Sequence, residues 1–216
     1  MRDQNLKRRA EIGRERRART RAQLVEAALR VFAGKGLDAA TTQDFYEEAG
    51  VSRGTFYNYF ETKEDVLTAV ANRLADALNE EILSETEGVE GAPERVAWTV
   101  ERFVGRALTH PGPSQVMVDI AARQALILIG ETSEGNMRAD LETGRAQGLF
   151  TIEDDEMAAN IIVGVSMQAI RSILAGRAGP EHVYLAARSV LLAYGTPQAR
   201  AESAARFVFD RSRERT

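Results

Sequence analysis

The segment TTQDFYEEAGVSRGTFYNYFETKE, which begins at Thr41, leaves the chain few ways to fold. Gly50 cuts it in two. Before the glycine, Thr41 and Thr42 are capping candidates for a short helix from Gln43 to Ala49. After it, Ser52 starts a second short helix, Arg53 to Tyr59. Phe45, Ala49, Val51, Phe56 and Tyr59 fall where they can fill a small tri-helical core with a helix at 20–33. Ser52, Arg53, Thr55, Tyr57 and Asn58 then point outward. Two short helices joined by a tight glycine turn are the pattern of a helix-turn-helix. A polar face with hydroxyls and an aromatic, on so short a helix, has the shape and chemistry that the major groove of duplex DNA admits.

The rest of the chain also reads as helix. Leu24, Ala27, Ala28, Val31 and Phe32 recur at helical spacing, and Gly34 and Gly36 supply a stop. Thr62 caps a long helix carrying Leu67, Val70, Ala71, Leu74 and Leu78 on one face, followed by an acidic loop at 84–92. Pro93 opens a helix lined by Val96, Val100, Phe103, Val104 and Ala107. Further helices are expected at about 114–129, 136–147, 154–175, 181–194 and 197–213, with a break from Gly130 to Gly135. No stretch shows period-two alternation, so the fold class is all-α. The helices at 154–175 and 181–194 are apolar nearly all round and must be buried on every side. Burial by a second copy, as antiparallel helix pairs in a four-helix interface, is the expectation. Ile161, Val165, Gln168, Val183, Val190 and Leu191 are assigned to it.

Charge divides the chain. Residues 1–60 hold 12 Lys+Arg against 8 Asp+Glu, whereas residues 61–216 hold 16 against 24. A basic front on an acidic body suits a polyanion-binding module attached to something else. Arg8, Arg9, Arg14, Arg16, Arg17 and Arg19 concentrate the excess in an arm at 1–19. The expected organisation is this arm, a helix-turn-helix domain at 20–65, and a ligand-binding and dimerisation domain at 66–216.

Several chemistries are excluded or disfavoured. There is no cysteine, and the two histidines, His110 and His182, lie far apart, so neither a metal site nor a nucleophilic triad is expected. The acids Glu153, Asp154, Asp155 and Glu156 suit a helix start better than an acid/base pair. The string GKG at 34–36 lacks the phosphate-loop spacing. The chain is expected not to be an enzyme and to need no cofactor. No apolar run is expected to span a membrane, no secretory leader is evident, and the expected location is the cytoplasm.

VSRGTFYNYFETKEDVL, with the preceding ALRVFAGKGLDAATTQDFYEEAG, resembles the DNA-binding helices of the TetR family of bacterial transcriptional regulators. The likeness covers roughly residues 20–70. It implies a homodimeric regulator, most often a repressor, released from a palindromic double-stranded operator by a small molecule that the sequence does not identify. It also implies roles. Thr41, Lys63 and the Tyr57 hydroxyl would bind phosphates, with Thr42 and Gln43 beside Thr41 on the DNA side. Ser52, Arg53 and Thr55 would face bases or phosphates, and Asn58 would sit at the groove edge. One departure stands out: Tyr46 occupies a position where the family usually has alanine, so it needs wider helix spacing or an outward-tilted side chain. Candidate walls of the effector pocket are Trp98, Arg102, Phe103, Met117, Ile120, Arg123, Gln124, Met137, Leu141 and Met167, with Arg123 able to meet an acid.

Overall fold

The computed structural model describes residues 2–123 and 131–214, with side chains for all of these except 2–7, 9–10 and 131–134. Gln124 therefore lies outside the described residues. Among those described there are ten helices and no strand. The chain divides into two compact units, Met1–Arg73 and Leu74–Thr216.

The first unit holds α1 (Arg2–Ala39), α2 (Thr42–Glu48), α3 (Arg53–Tyr57) and the start of α4 (Lys63–Thr86). α1 is longer than the sequence pattern suggests. The basic arm is its first half rather than a separate tail, because Arg, Ala, Glu and Lys are good helix formers and Gly13 alone does not outweigh them. The break comes at Gly36, where φ is 79°. Leu24, Ala27, Ala28 and Phe32 of α1 are buried with Phe45 of α2, Phe56 of α3, and Val66 and Val70 of α4.

The second unit is arranged around α5 (Ala92–Thr109), which packs against α6 (Pro111–Arg123), α7 (Glu131–Ala146), α8 (Asp155–Leu174), α9 (Glu181–Ala193) and α10 (Gln198–Arg213). α5 is therefore enclosed on several sides, and Trp98, which lies off its main apolar stripe, is buried all the same. Two boundaries differ from expectation. α4 runs on to Thr86 through part of the expected acidic loop, and α7 includes Gly135. Asp154 caps α8 by accepting from Met157 N at 2.6 Å, as an acid at a helix start should. Arg145 joins α7 to that cap, donating to the carbonyls of Ile152 and Glu153 and to Asp155 at 2.7 to 3.0 Å.

By length and hydropathy α8 could cross a membrane, contrary to the sequence expectation. In this fold it is a core helix, burying Ala158, Ile162, Met167, Ala169, Ile170 and Ile173 in contact with α5, α6 and α9.

Val183, Val190 and Leu191 need a correction as dimer residues. They are buried within the protomer, because α9 packs between α5, α8 and α10. An all-round apolar helix here satisfies most of itself inside one chain. Ile161, Val165 and Gln168 do keep a half-buried or exposed face on α8, beside exposed Gly164.

Glu101 is the buried charge of this core. Burial pushes its carboxyl above the usual range, against the opposing pull of Arg102 and a hydrogen bond with Ser212. Its Oε2 has no hydrogen-bond partner, and Arg102 Nε stands 3.6 Å away. The folded chain thus holds the proton more tightly than the unfolded chain does. Stability is fully present below the unfolded value and falls as pH rises through the folded one. Glu101→Gln should therefore raise the melting temperature by about 2–4 °C at pH 8 and by much less at pH 4. Thermal unfolding followed at both pH values checks this.

Candidate functional site

The outward face of the first unit is built on aromatic packing. The rings of Phe32 and Phe45 meet edge to face at 5.0 Å, and Phe56 sits 6.4 Å from Phe45 and 5.9 Å from Phe60. With Phe56 inward, the helical turn of α3 sends Ser52, Arg53, Tyr57 and Asn58 to the surface. Gly50, with φ of 64°, makes the turn between α2 and α3 in a conformation other residues rarely adopt. Ser52 caps α3, accepting from Thr55 N at 3.1 Å and lying 2.9 Å from the Thr55 hydroxyl. The Tyr57 ring stands perpendicular to Phe56, 42% of the residue is exposed, and the Arg53 guanidinium lies 5.6 Å from its centroid. Arg53 and Tyr57 thus form one surface pair, cation and hydroxyl together.

α2 flanks this face. Thr42 Oγ1 is 3.4 Å from the Tyr57 hydroxyl, which brings two hydroxyls from different helices to one point. Gln43 donates to Glu47 at 2.8 Å, and Arg30 pairs with Glu48 at 2.7 Å, so both acids at the end of α2 have partners. Lys63 donates to the Asp38 carbonyl at 3.1 Å. An ammonium has three donors, so this bond leaves others for a phosphate. Thr41 stands at the start of α2. It forms a capping box with Asp44: its hydroxyl and backbone N–H both donate to Asp44 Oδ2, at 2.8 and 2.9 Å. Lys35, with help from Thr41, holds the Asp44 carboxyl down at about 2. Thr41 is thus a cap first, with its hydroxyl proton engaged.

The arm reaches the same region. The Arg17 guanidinium lies 5.8 Å from the Tyr59 centroid and that of Arg21 lies 5.3 Å from Phe60, so α1 carries arginines next to the end of α3. Position in a helix, one turn apart, was the signal available for this pair. Tyr46 resolves its own departure. It is half-buried, and its ring meets that of Phe56 in an edge arrangement at 6.3 Å.

The second unit contains a cavity of about 210 Å³ lined by the C-terminal half of α4, by α5, α7 and α8, and by Tyr194. Of the expected walls, Phe103, Met137 and Met167 line it. The other expected walls among the described residues lie elsewhere. Trp98, Met117, Ile120 and Leu141 are core residues, because α5, α6 and α7 are covered on the faces they occupy. Arg102 lies over Trp98 at 5.3 Å and pairs with Glu85 at 3.0 Å. Arg123 is exposed at the end of α6 and is not a wall of the cavity. Sequence reasoning missed the polar walls: the ion pair of Arg95 with Asp140, and Ser166. Burial pushes the Asp140 carboxyl above its usual range while Arg95 pulls it down. Among the described residues no group of three or more His, Cys, Asp or Glu is placed to hold a metal ion.

Residues 24–70 match the family profile described as bacterial regulatory proteins, tetR family. The HTH-type transcriptional regulator YvdT of Bacillus subtilis, itself described as uncharacterized, is 35% identical over 77 residues, 36% of this chain and 37% of that protein. The chain thus spans little more than a third of YvdT. The HTH-type transcriptional repressor AcnR of Corynebacterium glutamicum is 26% identical over 168 residues, 72% of this chain and 88% of the relative. Among solved structures, RolR in complex with resorcinol has the same fold, with a TM-score of 0.68 at 24% identity, over 88% of this chain and 95% of that one.

Because the Tyr46 ring packs on Phe56, Tyr46→Ala should destabilise the first unit by about 2 kcal/mol. Chemical denaturation measures this; a gain in stability would mean the ring props α2 away from its neighbours.

Proposed function

We propose that this chain, a TetR-family helix-turn-helix transcriptional regulator, works as a homodimeric repressor that leaves a palindromic operator when a small hydrophobic or amphipathic molecule binds its second unit. The observation that carries the reading is the Arg53–Tyr57 pair, displayed on a helix whose opposite side is locked by Phe56. A guanidinium can bind guanine edges or phosphates with two parallel bonds, and a phenol hydroxyl suits a phosphate oxygen. Thr42, Gln43, Ser52, Thr55, Asn58 and Lys63 surround that pair and complete the DNA-facing set, with Thr41 holding the helix end. Arg17 and Arg21 extend the positive surface along α1.

The half-buried or exposed stripe of Ile161, Gly164, Val165 and Gln168 on α8 supports dimerisation, and Leu185 adds an exposed apolar side chain on α9. A twofold pair of recognition helices would stand about 34–36 Å apart to read a palindrome. The description of AcnR as a repressor supports the sign of regulation, and the resorcinol complex of RolR supports a small effector. α4 starts at Lys63 beside the DNA-facing residues, and its later residues Asn79, Ile82, Leu83 and Thr86 line the cavity. A ligand that shifts α4 would alter the spacing of the two recognition helices. The coupling would be reciprocal, so operator would weaken ligand binding by the same factor. Work on DNA fits a cytoplasmic location.

The test is operator binding across a salt series, using the region upstream of the chain's own gene. Arg53→Ala with Tyr57→Ala should cost more than 100-fold in selective binding, about 3 kcal/mol. Replacing Arg17 and Arg21 by alanine should instead flatten the dependence on salt, by about 0.9 in log–log slope for each lost phosphate contact, and leave sequence preference unchanged. Selective binding that survives the Arg53 and Tyr57 changes in a folded protein would overturn the reading.

A further inference from the structure

The walls of the second-unit cavity restrict the charge of what can enter. Most of its lining is apolar: Ile82, Val96, Phe103, Ile162, Val163 and Met167 are examples. Among the described lining residues the only Lys, Arg, Asp or Glu are Arg95 and Asp140, and these are paired with each other. Arg95 is held further by the carbonyls of Val89 and Glu90, each at 2.9 Å. The cation of the wall is therefore neutralised and fixed in place. An anion would find its charge already answered by Asp140, and a cation would face Arg95. Either would lose water to a wall whose charged groups already answer each other, which is unfavourable.

Among the described residues of the wall, one fully buried side-chain polar atom lacks a hydrogen-bond partner. Ser166 is 2% exposed, lines the cavity, and its Oγ makes no hydrogen bond. The other hydroxyls have theirs: Thr99 donates to the Arg95 carbonyl, Thr86 to the Ile82 carbonyl, and Tyr194 to the Ala158 carbonyl. A buried hydroxyl without a partner is uncommon and is satisfied when a ligand supplies one. Size sets the third limit. A cavity of about 150 Å³ accepts benzene, so 210 Å³ suits one ring with a short substituent, on the order of ten non-hydrogen atoms.

We propose that the cavity selects an uncharged, single-ring-sized molecule bearing a hydroxyl that bonds to Ser166, and that the Arg95–Asp140 pair rejects carboxylates and amines of the same size. This deepens the regulator reading and rests on it for its meaning as an effector site. Its test does not involve DNA, so either claim can fail while the other stands.

Calorimetric titration of the full chain at pH 7.5 compares three probes: 4-ethylphenol, ethylbenzene and 4-methylbenzoate. 4-Ethylphenol should bind at least tenfold more tightly than 4-methylbenzoate. Ser166→Ala should weaken 4-ethylphenol by about five- to tenfold, the worth of one hydrogen bond, and leave ethylbenzene unchanged, which also reports that the variant is folded. Asp140→Asn frees the Arg95 charge and should move the preference toward 4-methylbenzoate. Three results would each overturn the proposal: no saturable binding of 4-ethylphenol, equal binding of the phenol and the benzoate by the unaltered chain, or an equal effect of Ser166→Ala on the two uncharged probes. The phenol-to-benzoate ratio needs no variant and decides the matter even where a substitution impairs folding.

Discussion

Everything proposed for the first unit depends on where the Phe56 ring sits. It is enclosed by Phe45, Phe60, Tyr46 and Tyr57, and Phe45 in turn packs on Phe32 of α1. α3 has only five residues, too few to be stable as an isolated helix. Its orientation comes from that one inward ring and from the Ser52 cap at its start. Fixing the ring fixes which side chains face outward, because a helix one turn long has no freedom to rotate without exposing Phe56. The polar face is therefore a consequence of apolar packing, and its arrangement is set before any partner arrives.

The second unit uses the opposite device. α5 is surrounded, so side chains on nearly all its faces are drawn into the core, including Trp98 and the carboxylate of Glu101. The cavity beside it has one ion pair as its charge, the buried and unpartnered Ser166 hydroxyl, and further polar groups from Asn79, Asn136, Thr86, Thr99 and Tyr194. Such a site distinguishes ligands by charge and by a single hydrogen bond more than by shape. The two units are linked covalently through α4, whose first turn follows the recognition segment and whose later turns face the cavity.

The sequence was most legible where local chemistry decides the structure. The turn at Gly50, the caps at Thr41 and Ser52, the acidic start of α8, and the inward Phe45 and Phe56 follow from spacing and residue type, and the structure has them, whereas Val51 and Tyr59 are only half-buried. It was least legible where a residue's surroundings come from distant segments. Trp98 sits off its helix's apolar stripe and so resembled a pocket wall; α5 is covered there too, so the stripe had no bearing. Val183, Val190 and Leu191 resembled an interface because one sequence cannot tell burial by α5 and α10 from burial by a second chain. Arg95, Asp140 and Ser166 carried no local signal, since α5 and α7 meet only in the folded unit. The helical state of the arm carried no apolar spacing to announce it: its described side chains are exposed, and its residues propagate a helix that α1 nucleates further along.

The central claim is that the face centred on Arg53 and Tyr57 is delivered twice, by two copies, to one side of a duplex. Hydroxyl-radical footprinting on the duplex selected by the full chain from a random pool tests this most directly. The account predicts an inverted repeat with two protected half-sites, centred about one helical turn apart on the same face of the DNA. A single unpaired protected site, or protection without any sequence selected, would contradict it.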